Sequence, residues 1–279
     1  MKMSSWRTSH ESYDSEPLVW RSRQDRIQPV TSWRNRNLTC RYAYSPSADS
    51  CSLGEPGQDY GAVAADEQTV RFVLCDGVSL SYRGDFGARI LGEQLLRWLQ
   101  EPPGTDLNQI QELLVRVSQE AAKGLKRLHL PDDLPPLVRE VLLEKRKQGT
   151  EAMFVCGHIS RPRQGRAGRL WLLWQGDIRI RLWNEDGESR LIPANKFQTS
   201  ERWSSRPENS GMLPHLYTGR LDRLGSGGLI VYSDGLQTLD MKELPLSGRD
   251  LEQALQAEQS GGLQDDASVL ELSWSGAAP

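Results

Sequence analysis

An α+β layered domain is predicted from three features of the sequence. The hydrophobic period switches from about two to about 3.6 and back along the chain; long helical stretches sit between blocks of strands; and the strands do not alternate singly with helices, as βαβ units would require. The first strands are LTCRYAYS (38–45), DYGAVAA (59–65) and VRFVLCD (70–76), the last two separated by the turn-like DEQT. The period then changes. In GDFGARILGEQLLRWL (84–99), Ala88, Leu91, Leu95 and Leu99 share one helical face, and Pro102–Pro103 ends the run. In 106–130, Leu107, Ile110, Leu114, Val117, Ala121, Leu125 and Leu128 step by three or four. A third helix is expected over about 134–147, its prolines tolerated in the first turn. Strands return at 151–160, 169–175, 178–184 and 227–233. A helix at about 249–258 and a strand at 267–274 close the chain.

The 279 residues suffice for one large domain with its own core. A net charge of −3 gives no general attraction to nucleic acid or anionic lipid. No apolar run approaches the roughly 20 residues that span a bilayer, and the opening MKMSSWRTSHESYDSEP has no signal-peptide core. Cys40, Cys51, Cys75 and Cys156 form no CxxC pair, so a reduced, cytoplasmic setting is expected. Residues 1–37 are polar and Arg-rich, with Trp6, Trp20 and Trp33 interspersed. They are expected to be an N-terminal extension that rests its tryptophans on the domain or reaches a partner, with the folded domain over 38–279.

Five aspartates fall at strand ends. Asp59 opens one strand and Asp76 closes the next, so a hairpin folded at 67–68 brings them to the same end. Asp177 lies in the tight link WQGDIR. Asp234 closes GGLIVYSDG and Asp265 opens the last strand; if those two strands are antiparallel, these two also meet. Convergent carboxylates repel and resist desolvation, and hard divalent cations such as Mg²⁺ or Mn²⁺ relieve both costs. The competing reading is that Asp-Gly is a common turn dipeptide. Against it, Asp76–Gly77 leads toward a helix and Asp234–Gly235 leads into LQTLDMKELP, neither of which is a hairpin partner.

In order, GQDYGAV (57–63), FVLCDGVSLSYRGDFGARI (72–90), GTEAM (149–153), WQGDIRIRLW (174–183), LIVYSDGL (229–236) and LQDDASVLEL (263–272) resemble the motifs of the metal-dependent type 2C (PPM) serine/threonine protein phosphatases, bacterial members above all. The resemblance spans roughly residues 54–274. It implies a four-layer αββα sandwich of two antiparallel sheets flanked by helices. It also implies two Mn²⁺ or Mg²⁺ ions, with a third position in bacterial members. By motif, Asp76 would bridge the two metals with the Gly77 carbonyl on one, Asp59 would stand on the second-metal side, Asp234 and Asp265 would complete the first, and Asp177 with Asp234 would match the third. Asp76 and Asp234 would be catalytically essential. The implied reaction is hydrolysis of phosphoserine or phosphothreonine by activated water. The implied partners are a phosphorylated protein and a cognate Ser/Thr kinase in a signalling pathway, without nucleic acid or membrane.

Several positions depart from the family pattern. Gly54 stands where many relatives carry a phosphate-gripping arginine, and Arg83 is the replacement candidate. Gln58 replaces an acidic neighbour of the first aspartate, Val78 replaces a histidine seen in some relatives, and Asp266 replaces an asparagine and either ligates or caps. These departures motivate an alternative: a catalytically weak module that binds phosphoproteins or regulates a kinase. A third reading is a β-rich scaffold whose aspartates only make turns. The arginines of 160–169 are read as a solvated hairpin tip or a docking site for a phosphorylated partner. The irregular stretch 195–219 lies where relatives carry a flap.

Overall fold

Strands that are apolar on both sides need cover on both faces, and the layering supplies it. In a computed structural model, which describes residues 16–162, 167–189, 191–192, 197–209 and 213–275, two antiparallel sheets stack between helical layers. One sheet has the order β1 (Leu18–Arg21), β4 (Tyr60–Ala65), β5 (Thr69–Gly77), β6 (Glu151–Ser160), β7 (Arg169–Gln175), β11 (His215–Arg220), with the short β10 (Trp203–Ser204) also on β6. The other has the order β2 (Gln28–Arg34), β3 (Leu38–Ser45), β13 (Ala267–Trp274), β12 (Gly227–Tyr232), β8 (Arg179–Asn184), β9 (Gly187–Ser189).

Alternation sorts each strand between two cores. On β5, Phe72 and Leu74 enter the core between the sheets, while Val73 and Cys75 face the helices. On β12, Leu229 and Val231 turn inward, and Ile230 and Tyr232 face the opposite outer layer. One outer layer is α2 (Gly84–Trp98) with α3 (Leu107–Arg127). The other is α5 (Asp250–Ser260) with the 3₁₀ segment Asp234–Met241. The sandwich is therefore the four-layer arrangement expected.

The helices follow their periodicity. α3 buries Ile110, Leu114, Val117, Ala121 and Leu125, and Asp106 caps it by accepting from the Asn108 N–H at 2.9 Å. α4 (Pro136–Gln148) differs from expectation. It forms, but none of its residues is buried, and Leu137, Val138, Val141 and Leu143 are exposed. It rests on the edge of the layer that α2 and α3 make, where the partly buried Leu142 packs against the cluster of Tyr82, Leu125 and Leu130.

The N-terminal segment also differs. Its described part is not an appendage to a domain starting at residue 38. β1 extends the edge of one sheet and β2 that of the other, burying Leu18 and Trp33. The polar composition reflects edge strands with one solvated face. Trp6 lies outside the described residues. Two further elements carry no periodic signal in the sequence: the short helix α1 (Ala48–Leu53), capped by Ser47, and β11, which pairs with β7 inside the stretch expected to be irregular.

A chain starting at Leu38 should be less stable than one starting at Glu16 by at least about 3 kcal/mol, the burial value of two large apolar side chains. Urea unfolding of the two chains checks this; coincident midpoints would show that β1 and β2 contribute nothing.

Candidate metal centre

The β4–β5 hairpin does what its symmetry requires. Tyr60 pairs with Cys75, and beyond that pair the Gly77 N–H donates to the Gln58 carbonyl at 3.2 Å. Asp59 and Asp76 therefore end up across from each other. In the second sheet Tyr232 pairs with both Val269 and Arg179, and the Ser233 N–H donates to the Ser268 carbonyl at 3.1 Å. That register sets Asp234 beside Asp265 on one side and the Asp177 turn on the other. Both sheets deliver their aspartates to the same end of the sandwich.

The two Asp-Gly pairs are not hairpin turns. Neither Gly77 nor Gly235 has a positive φ. What they lack is room: a Cβ on Gly77 would lie 2.4 Å from the Gly84 carbonyl oxygen, and one on Gly235 would lie 2.1 Å from that of Asp266. Each glycine lets two backbones close on each other beside an aspartate.

Electrostatics shows that the carboxylates form one group. Burial raises the Asp76 carboxyl well above the usual range, and the charges of Asp234, Asp265, Asp177 and Asp266 raise it further. Burial and then Asp76 and Asp266 do the same to Asp59. Asp177 is raised by burial and by Asp234, with only Arg179 opposing among side-chain charges. Asp265 is pushed up to about 6, by burial first and by Asp234 next among the charges. Asp59 Oδ2 and the neighbouring Gln58 Oε1 are both buried without a hydrogen-bond partner. Excess negative charge and orphaned oxygen acceptors together are the donor set a hard cation satisfies. Among the described residues, no three Asp, Glu, His or Cys side chains are already gathered into a cage that could hold a metal ion. The residues fit the metal by chemistry and location; their side chains are not closed around one.

Asp266 is a cap. It is buried, and its carboxylate accepts from the Ser47 N–H at 2.6 Å, from the Asp59 N–H at 3.3 Å and from the Gln58 N–H. It ties the last motif to the first. Sequence reasoning missed a second tie, Gln24. Its side-chain amide donates to the Gly57 and Asp85 carbonyls, each at 3.0 Å, and its own carbonyl accepts from the Gly57 N–H at 2.8 Å. A buried glutamine in a polar N-terminal segment carries no periodic signal, so only the fold reveals it.

Arg83 caps α2 from a left-handed conformation, φ 56°, with its guanidinium bidentate on Asp85 at 2.8 and 2.7 Å. It lines a cavity of about 300 Å³ with Gln58, Ser79, Ser81 and Lys145. Its charge there is partly answered by Asp85. Gly54 terminates α1 at φ 65°, which explains why no arginine sits at that position. Beside Asp177, a cavity of about 420 Å³ is bounded by Arg179, Phe197, Tyr232 and Asp240. It takes in part of the stretch expected to act as a flap.

No protein-family model and no curated protein sequence matches the chain. Solved structures do. The fold is that of RsbX in complex with magnesium (TM-score 0.56, 14% identity, covering 88% of this chain and 100% of that one). It is likewise that of the serine/threonine phosphatase Stp1 from Staphylococcus aureus (TM-score 0.53, 12%, covering 96% and 99%) and of serine-threonine phosphatase 2C from Toxoplasma gondii (TM-score 0.53, 11%, covering 93% and 100%). The chain has the type 2C phosphatase fold over nearly its whole length.

Unfolding returns these carboxyls to the ordinary range near 4. Because the folded values are higher, the folded metal-free chain holds more protons, and its stability falls as pH rises from about 4 through about 6. Asp265→Asn should flatten that fall and stabilise the metal-free protein at pH 7 by about 1 to 2 kcal/mol, less than the full shift implies because the group is partly open to water. Denaturant unfolding in chelator at pH 4.5 and pH 7 checks this; an Asn variant no more stable than the parent at pH 7 would contradict it.

Proposed function

We propose that this protein hydrolyses phosphoserine or phosphothreonine in protein substrates. The observation that carries the reading is the meeting of Asp59, Asp76, Asp177, Asp234 and Asp265, from five separate chain segments, at one end of a type 2C phosphatase fold, where burial and neighbouring carboxylate charges raise the pKa values of Asp59, Asp76, Asp177 and Asp265. Asp59, Asp76, the Gly77 carbonyl, Asp234 and Asp265 would hold two Mn²⁺ or Mg²⁺ ions, with Asp177 and Asp234 at a third position. When bound, such ions supply the charge that makes water nucleophilic near neutral pH and offsets the phosphoryl oxygens.

The chain's own residues supply the rest. Asp266 and Gln24 hold the 57–59 segment by its backbone, fixing the entry angle of Asp59. Gln58 offers a neutral acceptor where an acid would add charge. Arg83, with Lys145 on the same cavity wall, would meet the substrate phosphate. Val78 offers no proton, so the serine or threonine oxygen leaves by taking one from water.

Among the described residues no helix is long and apolar enough to cross a membrane. A phosphorylated protein is the partner the reading requires, and a cognate Ser/Thr kinase, a cytoplasmic setting and a role in signalling accord with it. One observation favours the alternative of a catalytically weak, kinase- or phosphoprotein-binding module: Gln58 brings no charge beside Asp59, where an acid would. Calorimetric titration with Mn²⁺ separates the two. Two micromolar sites accompanied by turnover support the enzyme; absence of both supports the module.

Turnover of p-nitrophenyl phosphate and of a phosphothreonine peptide should require Mn²⁺ or Mg²⁺. Asp76→Asn and Asp234→Asn should each lower kcat by at least about 100-fold, the scale for groups that stabilise transition-state charge. Arg83→Ala should raise KM more than it lowers kcat. Undiminished turnover in excess chelator would refute the proposal.

A further inference from the structure

The sheet that carries Asp76 has a second cavity at its other end. About 470 Å³ lie between the start of β5, the stems of the β6–β7 hairpin and the turn that follows α2. Seven extended residues of β5 separate Thr69 here from Asp76 there, roughly 23 Å. Nothing in the proposed hydrolysis reaches this place.

Its chemistry follows from register. Arg71, His158 and Trp171 pair in one row across β5, β6 and β7. They project from the face that, two residues along, buries Val73, Cys156 and Leu173 under α2 and α3. The helical layer ends over that row: Trp98, the last residue of α2, packs edge-on against the fully buried Trp171, and the chain turns away at Pro102–Pro103, leaving Arg71 and His158 at the lip of the apolar layer.

The charges there do not balance. The charges of Arg71 and Arg169 act on His158, which is 5% exposed, and Arg161 and Arg169 line the cavity with it. The facing carboxylate is Asp66. It accepts from the Gln68 and Thr69 N–H groups and the Thr69 hydroxyl, and stands 3.4 Å from Arg71. Glu67 offers Arg161 only its backbone carbonyl, at 3.0 Å. Arg169 makes no ion pair among the described residues, and Arg71 Nε is buried without a hydrogen-bond partner. Burial, then Arg71 and Arg169, lower the His158 pKa, so the ring sits neutral in a positive field. A solvated hairpin tip needs no such cluster around a buried ring. Arg161 and Arg169 thus bring to the mouth of the cavity two guanidinium charges that meet no carboxylate among the described residues, and an anion would answer them.

We propose that this cavity binds a phosphate-bearing ligand, at a site separate from the carboxylate centre. Arg161 and Arg169 grip the phosphate, and the remainder of the ligand rests against Pro102 and Pro103. Planar guanidinium forks match phosphate oxygens, and the volume is that of a small-molecule site. The inference stands on its own and does not depend on the chain being a phosphatase.

The test uses the full chain in EDTA, where the uncompensated aspartates repel anions and no turnover intervenes. Inorganic pyrophosphate and a phosphoserine peptide are titrated separately by calorimetry. One equivalent of either should bind: pyrophosphate alone identifies a small phosphate ligand, and tighter binding of the peptide identifies a phosphorylated protein segment. Arg169→Ala and Arg161→Ala should each weaken binding at least tenfold, with thermal unfolding showing both variants folded, and Arg169→Lys should retain part of the affinity. Asp76→Asn should bind as the parent does. The NMR titration midpoint of the His158 ring should rise when ligand is bound. Failure of both probes to bind at millimolar concentration, affinity unchanged by Arg169→Ala and Arg161→Ala, or binding lost in Asp76→Asn would overturn the proposal.

Discussion

Repulsion among buried carboxylates is the constraint around which the rest of this structure is arranged. Asp76 feels four like charges and Asp59 feels two, while Arg179 offers partial opposition at Asp177. A loosely built site would relieve the strain by splaying its loops into water. Here the backbone prevents that. Every aspartate sits within two residues of a strand end, and each strand is held on both sides in a buried ladder. The carboxylates are close because the sheets are, and both sheets owe their closeness to a dry core that includes Phe72, Leu74, Leu229, Val231 and Leu270.

Three ties convert that general placement into a fixed one. The Asp266 carboxylate is spent on backbone N–H groups of the first motif, and Gln24 grips Gly57 from the other side. The close approaches at Gly77 and Gly235 leave no slack between neighbouring backbones. All three act through the main chain, so they constrain where the aspartates start without dictating their rotamers. That division suits a centre whose final side-chain geometry is set by the ion it takes up.

Much of this is legible in the sequence because it is periodic. The apolar runs VRFVLCD and GGLIVYS, the alternation of LTCRYAYS, and the 3.6-residue stepping of 106–128 locate both sheets and the α2–α3 layer. The symmetry of the 59–76 hairpin is enough by itself to set two aspartates at one end of a sheet. The parts that escape such reasoning lack a period. β1 and β2 are short edge strands with polar outer faces, and they read as a tail. β11 hides in a stretch rich in turn residues, and α1 spans six residues with none buried. α4 has helical spacing but buries no residue fully and meets the α2–α3 layer through the partly buried Leu142 rather than a full apolar face, so its face cannot be assigned from spacing alone. Asp266 and Gln24 matter through bonds to backbone atoms more than 30 residues away, information that no local pattern contains.

Distant acidic side chains forming one cation-binding centre can be seen in a crystal soaked in Mn²⁺ and read by anomalous scattering. Two strong peaks are expected at the shared end of the sheets, one within ligand distance of both Asp76 and Asp234 and the other within ligand distance of Asp76. Peaks confined to surface sites, or none near Asp76, would contradict it.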